Sequence, residues 1–562
     1  MSNPRRLVTQ VIVLIFLSAM AWAAPDPPLS FEQVVSRIAE RENQFVTNLR
    51  GYAPLIETYI QHLGPDPELG TIPTGDEYFL GRLDLSRGPA SISFVGQKGG
   101  SWLQRIVGPI TGVGGMTFSP NGFATVIVDE RGLDSGAYEF TFVRREFLGE
   151  VRCLVIDVAP KKRSGQGRFL GRIWVEDQDY NIVRFNGTYA PRPRFGYYFH
   201  FDTWRLNLRP GIWLPAYIYT EERNLKYGFP PRSASFKAQT RLWGYDLQLS
   251  SQMDEFTDVI VEPTPGVRDK SASGEDLSPV QSVRAWQRQA EENVLERLER
   301  AGLLARAGEV DKVLKTVVSN LEISNKLEIQ PEIQCRVLLT APLESFSVGN
   351  TIVVSRGLLD VLPDEATLAA ILAHETAHIL LGHGADSGYG FSDRMIFSDQ
   401  QTFRRLRLGH NPNDEQAADA KAMELLKNSP YKDQLASAGL FLRALQQRAQ
   451  QLPNLIRAHL GNGLMSGEQS RLSELIASAP PLDMQRLDQI AALPMGARIK
   501  LDPWSDRVEM SKAKPVALIS PREKLFFEVT PLFPYVSRYG PKAPDAKPAT
   551  EKAATQGPQG NQ

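Results

Sequence analysis

His374-Glu375-Thr376-Ala377-His378 sets two imidazoles four residues apart, with a carboxylate beside the first. On a helix of 3.6 residues per turn both rings fall on one face and can hold a single Zn²⁺. Glu375 then faces the open metal position, where it can take a proton from water. Catalytic zinc commonly has three protein ligands, so a third must come from elsewhere. The chain has only Cys153 and Cys335, which excludes a Cys-rich site. Glu415 is the best candidate. It lies in Asn413-Asp414-Glu415-Gln416-Ala417-Ala418-Asp419, an acidic helical start whose small Ala417 and Ala418 would permit close approach to the histidine helix. Asp419, one turn on, is placed to accept the second-nitrogen proton of a ligating histidine. His410 is the rival third ligand, and His383 either supports the site or faces solvent. The competing reading makes these histidines satisfied core residues. The chemistry the pattern suits is zinc-dependent hydrolysis, with Glu375 as base and proton carrier. The sequence does not identify an oxyanion donor besides the metal.

Several elements must position these groups. Asp364 or Glu365 is placed to cap a helix over 364–382, with Leu368, Ile371 and Leu372 as its buried stripe. Further helices are expected over 283–305, 310–321, 413–428, 433–452 and 467–477. Ile333 to Leu339 and Ser347 to Ser355 read as a pair of strands joined by a loop containing Pro342. The strand over 347–355 is a guess for the edge that pairs with an extended substrate.

With these residues in view, the chain resembles the HtpX-like, CAAX-prenyl-protease-like zinc metallopeptidases. His374-Glu375-Thr376-Ala377-His378 with His383, followed by Glu415-Gln416-Ala417-Ala418-Asp419, is similar to their HExxHxxxxH and ExxAD signatures. Glu344 to Asn350 and Ile352 to Leu359 are similar to the strand and RGLL turn that precede them. The resemblance covers about residues 283–490. It implies His374, His378 and Glu415 as ligands of one zinc, Glu375 as catalytic base and Asp419 as support behind the ligands. Two departures stand out. Ala479-Pro480 takes the place of a histidine-proline pair, and the transmembrane helices of the integral-membrane branches are not seen, which points to the soluble extracytoplasmic branch.

The first half of the chain reads differently. Residues 30–63 suggest a helix opening at Ser30, with Phe31, Val34, Val35, Ile38 and Phe45 at helical spacing. From about 76 to 255 the pattern is aromatic strands, including a hairpin about the polar turn Glu176-Asp177-Gln178-Asp179. This stretch weakly resembles the half-barrel of outer-membrane lipoprotein-sorting (LolA-like) proteins. The resemblance implies a concave apolar surface for a lipid or acyl group; the equal alternative is that its aromatics are the domain's own core. The expected fold is therefore α+β and multidomain: an antiparallel β half-barrel with a helix, then a mainly helical zincin-type domain with a small sheet.

The 562 residues suggest two to four domains. Arg5, Arg6, the apolar run to Met20 and Ala21-Trp22-Ala23 suggest a signal peptide over 1–23, against an uncleaved anchor. The remaining boundaries are 24–260 for the strand domain, 261–282 for a Pro- and Ser-containing linker and 283–500 for the metallopeptidase. An extension over 501–540 and a disordered tail over 541–562 follow. Cys153 and Cys335 sit in apolar runs and are expected to be buried free thiols rather than a bridge. A net charge of -1 supplies no field for nucleic acid. Expected partners are thus a protein or peptide substrate, a possible lipid at the first domain and peripheral association with a membrane. The expected location is the periplasm. The rival function is a lipid or protein carrier with a latent zinc site, and a zinc hydrolase of peptidoglycan is the third.

Overall fold

The computed structural model describes residues 29–66, 70–85, 90–93, 123–191, 197–227, 232–245, 279–384, 408–466, 469–481, 499–502 and 507–510. The signal peptide, nearly all of the linker and the tail lie outside them.

Helix α1 (Phe31–Leu49) opens as the sequence suggests. Ser30 Oγ accepts from Gln33 N, and the Gln33 side chain accepts from Ser30 N. It ends before Pro54, and residues 55–63, expected to continue it, form strand β1 (Leu55–Asp66) instead. The physical reason is double-sided burial. Leu55 and Tyr59 pack into one core cluster while Ile56 and Ile60 enter two others. Ile56, Tyr59, Ile60 and Leu63 thereby mimic helical spacing.

Strands β2 (Gly70–Asp84), β3 (Ala90–Ser93), β4 (Tyr138–Leu148), β5 (Val151–Pro160), β6 (Arg168–Glu176), β7 (Ile182–Ala190), β8 (Phe201–Arg209), β9 (Ile212–Tyr227) and β10 (Arg232–Trp243) complete a ten-stranded sheet ordered β3-β2-β1-β10-β9-β8-β7-β6-β5-β4. All its pairings are antiparallel, and the β6–β7 hairpin is the one expected. Val34, Ile38 and Leu49 of α1 pack with Ile156, Phe169, Phe185 and Phe201 of the sheet. Arg205 on β8 grips Glu42 of α1 with two bonds, 2.6 and 2.7 Å, both side chains buried. These aromatics belong to the domain's own core.

Helices α2 (Pro279–Arg300) and α3 (Glu309–Ser324) begin the second half, so the last residues assigned to the linker are helical. A four-stranded sheet follows: β11 (Gln334–Leu338), β12 (Glu344–Val348) and β13 (Thr351–Ser355), joined later by β14 (Asn462–Gly463), in the order β11-β13-β12-β14. The stretch 347–355 is therefore not one strand. It spans the end of β12, a turn at Gly349 with φ +56°, and β13. β13 is paired on both sides and cannot receive a substrate strand. On its other side β12 pairs with β14 through Glu344 and Ser345, and its remaining residues Phe346, Ser347 and Val348 are buried.

Helices α4 (Arg356–Val361), α5 (Glu365–Leu381), α6 (Pro412–Lys427), α7 (Leu435–Arg448) and α8 (Pro453–Ile456) complete the helical body. Residues 467–477, expected as one helix, instead hold the second strand of a small hairpin, β15 (Met465–Ser466) with β16 (Gln469–Ser470). A short helix, α9 (Ser473–Ser478), follows a left-handed Leu472 with φ +53°. Strands β17 (Ile499–Asp502) and β18 (Arg507–Met510) pair across the boundary expected at 500. The whole is an α+β multidomain chain. No helix among the described residues is long and apolar enough to cross a membrane.

The two halves share a core. Leu55, Tyr59, Tyr78, Leu80 and Trp243 of the large sheet pack in one cluster with Leu303, Val337, Phe346, Leu372 and other residues of the second half.

Candidate metal centre

Helix α5 is apolar nearly all round, and its residues from Ala369 to His378 are buried. Asp364 caps it, its Oδ1 accepting from Thr367 N at 2.8 Å, and Gly382 ends it at φ +70°. On this rigid element His374 and His378 point their Nε2 atoms toward one another at 3.0 Å. Helix α6 starts at Pro412 behind the N-cap Asn411, which places Glu415 in the first turn. Its oxygens lie 3.3 Å from His374 Nε2 and 3.5 Å from His378 Nε2. Ala418 and Ala422 are buried and permit the close approach, whereas Ala417 is exposed.

These three donor atoms fit a zinc ion. Tetrahedral ligands at about 2.0–2.1 Å stand roughly 3.3 Å apart, close to the separations found. All lie within 4.8 Å of one another, the only such group of three or more metal-binding side chains among the described residues.

The surroundings hold each ligand by its far side. His374 Nδ1 pairs with Asp419 Oδ1 at 2.8 Å, as expected for an acid one turn beyond Glu415. His378 Nδ1 lies 3.0 Å from His383 Nδ1, so His383 supports the site. His410 is not in the ligand group; its ring stacks on that of His378 at 3.8 Å between centroids. Burial, reinforced by repulsion from His374 and His410, pushes the His378 pKa down to about 2, which keeps this ring neutral and able to ligate. Burial alone would raise the Glu415 pKa. The hydrogen bond to His374 and the charge of Arg471 outweigh it, holding it down at about 2. For His374, burial and Arg471 act downward but the Asp419 and Glu415 hydrogen bonds prevail, so its pKa is raised.

Glu375 is fully buried. Its Oε1 accepts from Ser345 Oγ at 2.7 Å and from Arg471 Nη1 at 2.9 Å, and its Oε2 has no hydrogen-bond partner among the described residues. The sequence reading did not assign roles to Ser345, Arg471 or Asn462, whose Nδ2 donates to Glu415 Oε1. Arg471 follows a two-residue strand in a stretch read as helix, so no periodicity marked it. Ala479, in place of the histidine of a histidine-proline pair, is buried against Gly439 of α7, and its carbonyl accepts from Arg443 at 3.0 Å. Both cysteines are buried free thiols.

Comparison with known proteins agrees with the second half of this architecture. Residues 305–493 match the model of Peptidase family M48. No curated protein matches the sequence. Among solved structures, the chain is similar to a DUF1329 family protein from Desulfovibrio piger at 11% identity and a TM-score of 0.18, over 40% of this chain and 98% of that one. The convergence of His374, His378 and Glu415 within the matched region makes residues 305–493 a zinc metallopeptidase domain of Peptidase family M48.

Proposed function

We propose that this chain is a zinc-dependent endopeptidase that cuts extracytoplasmic proteins, misfolded or membrane-associated, with His374, His378 and Glu415 as its metal ligands. The observation that carries the reading is the pairing of those converging ligands with Glu375, an intact buried carboxylate with one oxygen unpartnered beside them. A site that only bound metal would have no use for that oxygen. Zinc, when bound, supplies a Lewis acid for the scissile carbonyl and lowers the pKa of water. Glu375 takes the proton of the attacking water and passes it to the leaving amine. Asp419 holds the His374 ring in place.

Location outside the cytoplasm rests on Arg5, Arg6 and the apolar run before Ala21-Trp22-Ala23. The periplasm is favoured, because both resembled families work there. A lipid or acyl group at the first domain would need a surface beyond the core aromatics that α1 already covers.

The test is metal content and cleavage of an unfolded protein such as casein by residues 24–562, beside Glu375→Gln. One zinc per chain in both, with cleavage lost in the variant by about 10²-fold or more, is the expected result. Zinc without cleavage in either would favour a carrier with a latent site. Release of cell-wall fragments but not casein peptides would favour a peptidoglycan hydrolase.

A further inference from the structure

The two oxygens of Glu375 have unlike surroundings. Oε1 receives Ser345 Oγ and Arg471 Nη1, which are themselves 3.1 Å apart, while Oε2 receives nothing among the described residues. Arg471 is buried, and its Nε lies 3.4 Å from Glu415 Oε2, so one guanidinium touches both the base and a metal ligand. Its backbone is tied to the same centre. Leu472 holds a left-handed φ of +53°, a conformation a leucine keeps only where its neighbours over-determine it. Its N–H donates to Asp419 Oδ2 at 2.9 Å, and Asp419 Oδ1 holds His374. Ser345 arrives from the other side, on β12, where its pairing with Asn462 fixes its backbone.

We infer that Arg471 and Ser345 are positioning residues for Glu375, anchoring Oε1 so that Oε2 is the atom that receives the proton of the attacking water. The inference rests on the peptidase reading above. In the step, an O–H bond of water breaks as the Oε2–H bond forms, and the oxygen keeps the electron pair with which it bonds to the scissile carbonyl carbon. The proton then leaves Oε2 for the departing amine nitrogen. Without its two donors the carboxylate can rotate, and either oxygen, or neither, meets the water. Displacements of about 1 Å at such a step cost on the order of 10²-fold in rate. The guanidinium also opposes the metal, since its positive charge sits beside Glu415.

These two effects separate positioning from mere structure. The experiment compares the full chain with Arg471→Met, Arg471→Lys and Ser345→Ala. Zinc affinity is measured by competition with a chelator in the absence of substrate, and kcat and KM on an unfolded protein. Arg471→Met is expected to bind zinc more tightly, by roughly tenfold, while kcat falls about 10²-fold and KM changes little. Methylguanidinium added to Arg471→Met should restore part of kcat, and should do nothing for Ser345→Ala. Arg471→Lys should keep the lower zinc affinity of the parent and lose kcat. Loss of zinc and of kcat together in Arg471→Met, without rescue, would make the residue structural and overturn the inference, as would an unchanged kcat. Should that variant not fold, Ser345→Ala decides alone: a kcat lowered about tenfold upholds the anchoring of Oε1 and an unchanged one overturns it. An inactive parent overturns the peptidase reading and this inference together; an active parent with indifferent variants overturns only this one.

Discussion

Asp419 bonds His374 through one oxygen and the backbone of Leu472 through the other, so a single side chain orients a ligand and closes the loop beside it. Supports of this kind are worth 10–100-fold in metal affinity. Asp419→Ala should therefore weaken zinc binding by about that factor in chelator competition, and an unchanged affinity would remove Asp419 from the site. The cysteines make the opposite case, since nothing reactive surrounds them. Burial pushes both Cys153 and Cys335 thiols up to about 12, keeping them protonated at neutral pH. Neither should be alkylated in the native protein, and both should react once it is unfolded in urea; labelling of native protein would contradict their burial. At this scale the sequence was readable where chemistry imposes a spacing. His374 and His378 declare themselves by a turn of helix, and Glu415 with Asp419 by another. Ser345 and Arg471 obey no such spacing, because they meet Glu375 only through the packing of β12 and the loop before α9.

The elements that carry these residues depend on a few close approaches. Gly357, at the start of α4, lies so near the chain of β11–β12 that an added Cβ would stand 1.7 Å from Ala341 O. Its own N–H donates to Thr340 O at 3.0 Å, so the contact cannot open without losing that bond. Gly357→Ala should destabilise the protein by about 1–3 kcal/mol, read as a lower urea midpoint with an unchanged slope; a neutral result would show that the loop yields freely. Glu344 works similarly, accepting the amides of His459, Leu460 and Gly461 at 2.9–3.0 Å and so holding the approach to β14 against β12. Helices with strong caps, such as α5 behind Asp364, were legible. Short elements were not. The two-residue strands and the left-handed Leu472 break the stretch 467–477 in a way only tertiary hydrogen bonds can stabilise, and 55–63 imitated a helix because both faces of its strand are buried.

At the scale of the molecule, the large sheet and the peptidase domain are joined through buried polar groups. Glu57 on β1 accepts from Ala341 N at 2.6 Å and from Arg241 at 3.3 Å, and Arg241 in turn donates to Leu339 O at 2.9 Å. Trp243 Nε1 donates to Gly302 O at 2.8 Å. Asp76 on β2 caps α8 from across the boundary, accepting from Asn454 N at 2.9 Å and Leu455 N at 2.8 Å. Glu57 and Tyr59 on β1 and Asp76 and Tyr78 on β2 are all buried where the second half meets the sheet. A lone sheet surface has no reason to bury carboxylates, and their burial is affordable only because backbone amides of another domain complete them. The consequence is thermodynamic coupling. Asp76→Ala leaves the buried Leu455 amide without an acceptor, at about 1–3 kcal/mol, strips the half-buried Asn454 amide of its partner as well, and loosens the shared cluster around Leu55, Leu80 and Trp243. Calorimetry of the full chain should show the sheet and the peptidase melting together, and the substitution should lower that one transition as a whole. Two separate transitions, with Asp76→Ala shifting only one, would mean that the sheet is a tethered neighbour rather than part of the enzyme's frame.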